Sequence, residues 1–116
     1  AGLSIMPAAQ DLTVNDRPVD AAYRGAGAAY HSRIDKDTEL GWPGYYSVHL
    51  YDGRAIAELT ATTRCAFHRY TFEEIPVSRI LIDLAFPAEY PFDLRDGCLA
   101  CVGDSAIEGF ATALTY

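Results

Sequence analysis

The sequence predicts an all-β protein, built as an antiparallel β-sandwich. Three observations predict it. Short runs of aromatic and β-branched residues alternate with a period of two. Clusters of Gly, Pro and Asp separate those runs at close spacing. No stretch unites helix caps with a sustained 3.6-residue period. The 116 residues are half apolar and 22% charged. Such a chain suits one globular domain that buries roughly two thirds of its surface and needs no disulfide.

Ala1 to Pro7 is a short apolar run ended by Pro7 and reads as one strand. Residues 11–30 are rich in Ala, Gly and Asp and read as a loop carrying at most one short strand, Asp11–Val14. Ser32 to Gly44 is polar and charged, and reads as a turn leading into a strand. Pro43 restricts Trp42 to extended geometry, and Gly44 admits positive φ. Tyr45 to Tyr51 is aromatic and β-branched, with Tyr46, Val48 and Leu50 on one face. Asp52-Gly53 is a hairpin signal. Ala55 to Thr63 sets Ile56, Glu58, Thr60 and Thr62 against Ala55, Ala57, Leu59 and Ala61. Arg64 to Phe72 sets Cys65, Phe67, Arg69 and Thr71 against Ala66, His68, Tyr70 and Phe72. Glu73 to Val77, with Pro76, is a turn. Arg79 to Phe86 is the most apolar strand, with Ile80, Ile82 and Leu84 on one face. Pro87, Pro91 and Asp93 to Gly97 read as a loop, and strands at Gly97–Val102 and Ala106–Tyr116 complete the set.

Nine basic residues against sixteen acidic ones leave a net charge of −7. An acidic domain without a Lys/Arg cluster is a poor binder of nucleic acid or of anionic membranes. No apolar run has the length of a membrane span. The N-terminal residues lack the basic region and long apolar core of a signal peptide, which fits a mature or excised segment. Three cysteines imply no closed disulfide framework.

Several patterns have the look of chemistry. Cys98-Leu-Ala-Cys101 has CxxC spacing. Zinc takes four ligands, and residues i and i+3 of a strand point to opposite faces. Thiols buried in a β-core are therefore expected, with a Cys65 disulfide to one of the pair left open. Asp35, Asp37 and Glu39 resemble part of a calcium loop, but Tyr46 stands where an EF-hand places its bidentate Glu, so a solvated acidic loop is expected. His49 and His68 fall on strands and read as hydrogen-bonded sheet residues. Glycosidic chemistry needs two carboxyl groups about 5–10 Å apart. Glu39, Glu58, Asp83 and Glu108 are candidates in principle, and spacing alone picks no pair. Trp42, Tyr45 and Tyr46 cluster at the Pro-Gly turn. They read either as an aromatic surface for apolar sugar faces, or as a core tyrosine with Trp42 covering the edge.

Three ordered segments carry a resemblance. They are Glu39-Leu-Gly-Trp-Pro-Gly-Tyr-Tyr-Ser-Val48, Ala57-Glu-Leu-Thr-Ala-Thr-Thr-Arg64 and His68-Arg-Tyr-Thr-Phe72, with Leu3-Ser-Ile-Met-Pro7 ahead of them. This pattern resembles the N-terminal domain of glycoside hydrolase family 92, the bacterial α-mannosidases, and spans most of residues 1–116. Lys36 stands where that family often has His, Gly41 replaces a common Ala, and Glu73 replaces an expected Pro.

The resemblance implies a supersandwich-type β-domain, residues 1–116, that is part of a much longer secreted or periplasmic enzyme. It implies a C-terminal (α/α)6 barrel as partner, α-mannoside glycans as substrates, and calcium-dependent hydrolysis with inversion. The catalytic groups and the calcium would lie in the barrel, with no catalytic residue, metal or other cofactor in this chain, which alone would be inactive. Glu39, Trp42 and Tyr45 are then the expected substrate-binding residues. Glu39 would bond a sugar hydroxyl or a neighbouring loop, or cap its own loop's amides. Two other readings stay open: a stand-alone carbohydrate-binding module, and an interaction scaffold with an exposed apolar sheet face.

Overall fold

The computed structural model of the chain describes residues 3–9, 32–84 and 92–115. They form eight strands and, among the described residues, no helix. The strands are β1 (Ser4–Ala8), β2 (Ile34–Trp42), β3 (Tyr45–Leu50), β4 (Ala55–Ala61), β5 (Ala66–Phe72), β6 (Arg79–Asp83), β7 (Phe92–Val102) and β8 (Ala106–Thr115). β2 to β5 make a four-stranded antiparallel meander in chain order. β7 and β8 form an antiparallel hairpin, and β1 pairs with β6. The fold class is all-β with antiparallel sheets, as the alternating pattern predicts. The chain divides into two compact units, Met6–Leu81 and Ala1–Ile5 with Ile82–Tyr116.

The meander has one buried face. Val48 and Leu50 of β3 and Ala57 of β4 form its core, with Ile34, Tyr46 and Tyr70 packed around them. Met6 of β1 lies against the same cluster, which gives this unit a sandwich-like layering. The faces fall as alternation predicts: Ala55 and Ala57 are buried, whereas Ile56 is 45% exposed.

Two turns set the register. Pro43-Gly44 joins β2 to β3, with Trp42 paired to Tyr45. Gly44 has φ of 87°, the requirement at the third position of a type II turn with proline before it. The β3–β4 turn, residues 51–54, holds Gly53 for a different reason. A Cβ there would sit 3.0 Å from the Pro7 carbonyl oxygen, and the left-handed residue is Arg54, with φ of 46°. This turn is also tied to the segment before β2. Asp52 accepts hydrogen bonds from the Arg33 backbone amide (2.7 Å) and guanidinium (3.1 Å). The Ser32 hydroxyl accepts from the amides of Asp52 and Gly53.

Three expectations are corrected. The polar stretch Ser32–Gly44 is mostly strand β2, not a turn region. Asp35 faces His49 and Leu40 faces Ser47, so β2 advances five residues where β3 advances two. That bulge breaks the alternation that would have marked a strand. The Thr38 hydroxyl donates to the Asp35 carbonyl, and the Asp37 amide to the Asp35 carboxylate, inside it. Likewise Asp93–Gly97 belongs to β7, whose register shifts between Leu94 and Asp96. The cysteines are not core residues: Cys65, Cys98 and Cys101 are all exposed and free. The Asp11–Val14 strand, Phe86, Pro87 and Pro91 lie outside the described residues.

Candidate functional site

The polar chemistry concentrates on the outer face of the meander. Alternation puts Tyr45, Ser47 and His49 of β3 on this side. It puts Ile56, Glu58 and Thr60 of β4, and Phe67, Arg69 and Thr71 of β5, there as well. Register aligns Ser47 with Glu58, and Glu58 with Arg69, in one row across three strands.

Glu58 is the centre of that row. Its Oε2 accepts from Arg69 Nε at 2.6 Å, and its Oε1 from Arg69 Nη2 at 2.7 Å. This is the bidentate fork that fixes both planes. The Tyr45 hydroxyl donates to Oε1 at 2.7 Å. The Arg69 hydrogen bonds, then the Tyr45 one, pull the Glu58 carboxyl from 4.5 down to about 2. Glu58 is thus an ionised acceptor across the physiological range and no proton donor.

Tyr45 also supports an aromatic surface. Trp42 and Tyr45 close the β2–β3 hairpin, with ring centroids 4.6 Å apart and planes inclined by 20°. Trp42 is 58% exposed. The Tyr45 ring therefore backs the indole, while its hydroxyl is anchored on Glu58.

Glu39 takes another direction. Its Oε1 accepts from the Tyr46 hydroxyl at 2.7 Å and its Oε2 from Lys36 Nζ at 2.6 Å. Lys36, then Tyr46, hold its carboxyl below the usual range. Because Tyr46 packs on the core, Glu39 ties the bulged part of β2 to β3. The structure thus joins Trp42 to Tyr45, and Glu39 to Tyr46, as two separate contacts.

Calcium does not fit the acidic residues of β2. One oxygen of Asp35 receives the Asp37 amide, and both oxygens of Glu39 are engaged by Lys36 and Tyr46. Among the described residues no three His, Cys, Asp or Glu side chains cluster as a metal site.

His49 and His68 are hydrogen-bonded sheet residues, as expected. His68 Nδ1 lies 2.9 Å from the Tyr70 hydroxyl. His49 Nε2 lies 2.9 Å from Glu73 Oε1, and Arg54 Nε donates to Glu73 Oε2 at 3.0 Å. Sequence reasoning placed Glu58 and Arg69 mid-strand, each in one alternating set of its strand, but did not pair them. The signal was available in the hairpin: counting back from Thr62 and Cys65 sets residue 58 opposite 69.

The family described as Glycosyl hydrolase family 92 N-terminal domain matches residues 1–115. No curated protein matches the chain.

Proposed function

The chain belongs to the glycosyl hydrolase family 92 N-terminal domains, and from that premise we propose that it serves an α-mannosidase as a domain that lines the sugar site without performing the chemistry. Membership makes it an accessory domain of a glycoside hydrolase, with a catalytic domain C-terminal to it in the parent enzyme. In the proposal that partner is an (α/α)6 barrel carrying acid, base and calcium. The reaction is inverting hydrolysis of α-mannoside glycans, and the parent is secreted or periplasmic.

One observation carries the accessory role: the two glutamates beside the aromatic hairpin are both locked as carboxylates. Glu58 is held by Arg69 and Tyr45, and Glu39 by Lys36 and Tyr46. Glycoside hydrolysis needs one carboxyl group kept protonated near neutral pH. Neither glutamate meets that need. What the face offers instead is a backed indole. The apolar CH side of a pyranose suits a flat ring, and rigid backing reduces the ordering cost of binding. Trp42 is the stacking surface in this reading, and Tyr45 and Glu58 hold it in place. Glu39 fixes the strand that presents it.

Kinetics test this directly. The chain alone should show no turnover of α-mannosides, and measurable turnover would sink the accessory role. In the parent enzyme, Trp42→Ala should raise KM for α-mannosides by roughly tenfold, the value of about 1.4 kcal/mol of lost contact, with kcat less affected. An unchanged KM removes the stacking role. The exposure of Trp42 also favours a second reading, a carbohydrate-binding module that works alone. Saturable quenching of Trp42 fluorescence by mannosides in the isolated chain would support it.

A further inference from the structure

A second surface, mostly apolar with a few polar groups set into it, lies further along the same face. Thr38, Ser47, His49, Ile56, Thr71 and Glu73 line an open groove of about 480 Å³. That volume falls in the range of about 300–1,000 Å³ typical of small-molecule sites. All of these residues belong to the Met6–Leu81 unit.

The groove contains an unexplained polar group. Ser47 is 8% exposed, and among the described residues its hydroxyl has no hydrogen-bond partner. Buried hydroxyls are nearly always paired, because leaving one unpaired forfeits its hydration. Across the groove, two strands away on β5, the Thr71 hydroxyl is exposed and also without a partner among the described residues. The other polar groups are already arranged. Glu73 has one oxygen on Arg54 and the other on His49, so its charge is countered. A neutral imidazole that donates from Nε2 to Glu73 keeps Nδ1 as an acceptor. The Thr38 hydroxyl donates to the Asp35 carbonyl and accepts from the His49 amide. Ile56 supplies an apolar wall, 45% exposed.

We propose that this groove is a binding site for one neutral pyranoside unit, distinct from the Trp42–Tyr45 surface. The ligand class follows from the lining. Ser47 and Thr71 each donate and accept, as sugar hydroxyls do. A countered Glu73 offers no net attraction to a cation, and a chain of net charge −7 repels anions. The Ile56 wall takes the CH side of the ring. The site does not rest on the α-mannosidase assignment, because its lining includes neither Trp42 nor Tyr45.

Amide-resolved NMR of the full chain, titrated with methyl α-mannopyranoside, tests it. Saturable shifts are expected at Ser47, His49, Ile56 and Thr71. They should persist in Trp42→Ala and weaken about fivefold to tenfold in affinity in Ser47→Ala, the usual worth of one neutral hydrogen bond. Ser47→Ala removes an unpaired hydroxyl, so the ligand-free fold should keep its stability. If its spectrum nevertheless loses dispersion, Thr71→Val makes the same reading from the exposed side. Cyclohexanol, an apolar ring with one hydroxyl, should bind more weakly than the sugar. Shifts confined to Trp42 and Tyr45 would overturn the groove and leave the aromatic surface standing. Groove shifts without any at Trp42 would do the reverse. Equal binding by the hydroxyl-deleted variants, or by cyclohexanol, would overturn the proposal.

Discussion

The meander β2–β5 and the hairpin β7–β8 contrast two ways of making β-structure. In the meander, Val48, Leu50 and Ala57 are 4–7% exposed and pack against Met6, Tyr46 and Tyr70. The hairpin has longer strands, whose ladder runs from Phe92 opposite Thr115 to Val102 opposite Ala106 with one register shift. Yet Leu99, Val102, Ile107, Phe110 and Leu114 are 44–56% exposed. Backbone pairing exchanges water hydrogen bonds for protein ones at a small net gain, whereas apolar burial supplies most of the driving force. The lesson is that the longer ladder is the less anchored part. An isolated two-stranded hairpin is marginal in water, and a sheet with a covered face is not.

The largest test of that contrast is Leu50→Ala. Removing a buried leucine from the meander core should cost about 2–5 kcal/mol, read as a lower urea midpoint with an unchanged slope. A loss within experimental error would mean that the core is not where the stability lies.

Acid separates the faces of the meander itself. Glu58 titrates at about 2 in the fold, against 4.5 ordinarily, held down first by its Arg69 hydrogen bonds. Between those values the unfolded chain binds more protons, so this contribution is complete above about pH 4.5 and disappears as pH falls through about 2. Glu39, Asp52 and Glu73 are shifted in the same direction. Urea midpoints measured from pH 5 to pH 2 should therefore fall, and fall less steeply in Glu58→Gln. Parallel pH profiles for the two proteins would contradict the Arg69–Glu58–Tyr45 arrangement.

The smallest effect belongs to the hairpin. Phe110 is 54% exposed, so Phe110→Ala should change stability by no more than about 0.5 kcal/mol. A cost comparable to Leu50→Ala would show that the hairpin buries Phe110 in solution and would erase the contrast.

Legibility in the sequence followed the same physics. β3, β4 and β5 were readable as strands because one side of each is buried or, in β5, half-buried, and the period of two is intact. The proximity of Trp42 to Tyr45 was readable because Pro43-Gly44 leaves room only for a tight turn. β2 was hidden because Ile34–Trp42 is a polar edge strand with a bulge at its centre, and neither feature alternates. The β7 start was hidden for a similar reason, with Asp93, Arg95, Asp96 and Gly97 reading as loop residues. The exposure of Cys65, Cys98 and Cys101 ran against the usual burial of cysteine. The Glu58–Arg69 pair needed a cross-strand register, which hydrophobic pattern alone does not supply, and Ser47's lack of a partner among the described residues was a property of the folded surroundings.

The bulge in β2 has a consequence for self-association. A sheet grows by adding a strand to an edge whose amides and carbonyls are in register. At the β2 edge, the displaced stretch from Asp35 to Leu40 and the charge of Lys36 break that template. At the other edge, β5 pairs with β4 without a register shift from Ala66 to Phe72, and Phe67 is 69% exposed. Among the described residues the meander is therefore a one-sided template: closed to fibril-like growth at its first strand, and open to it at its last.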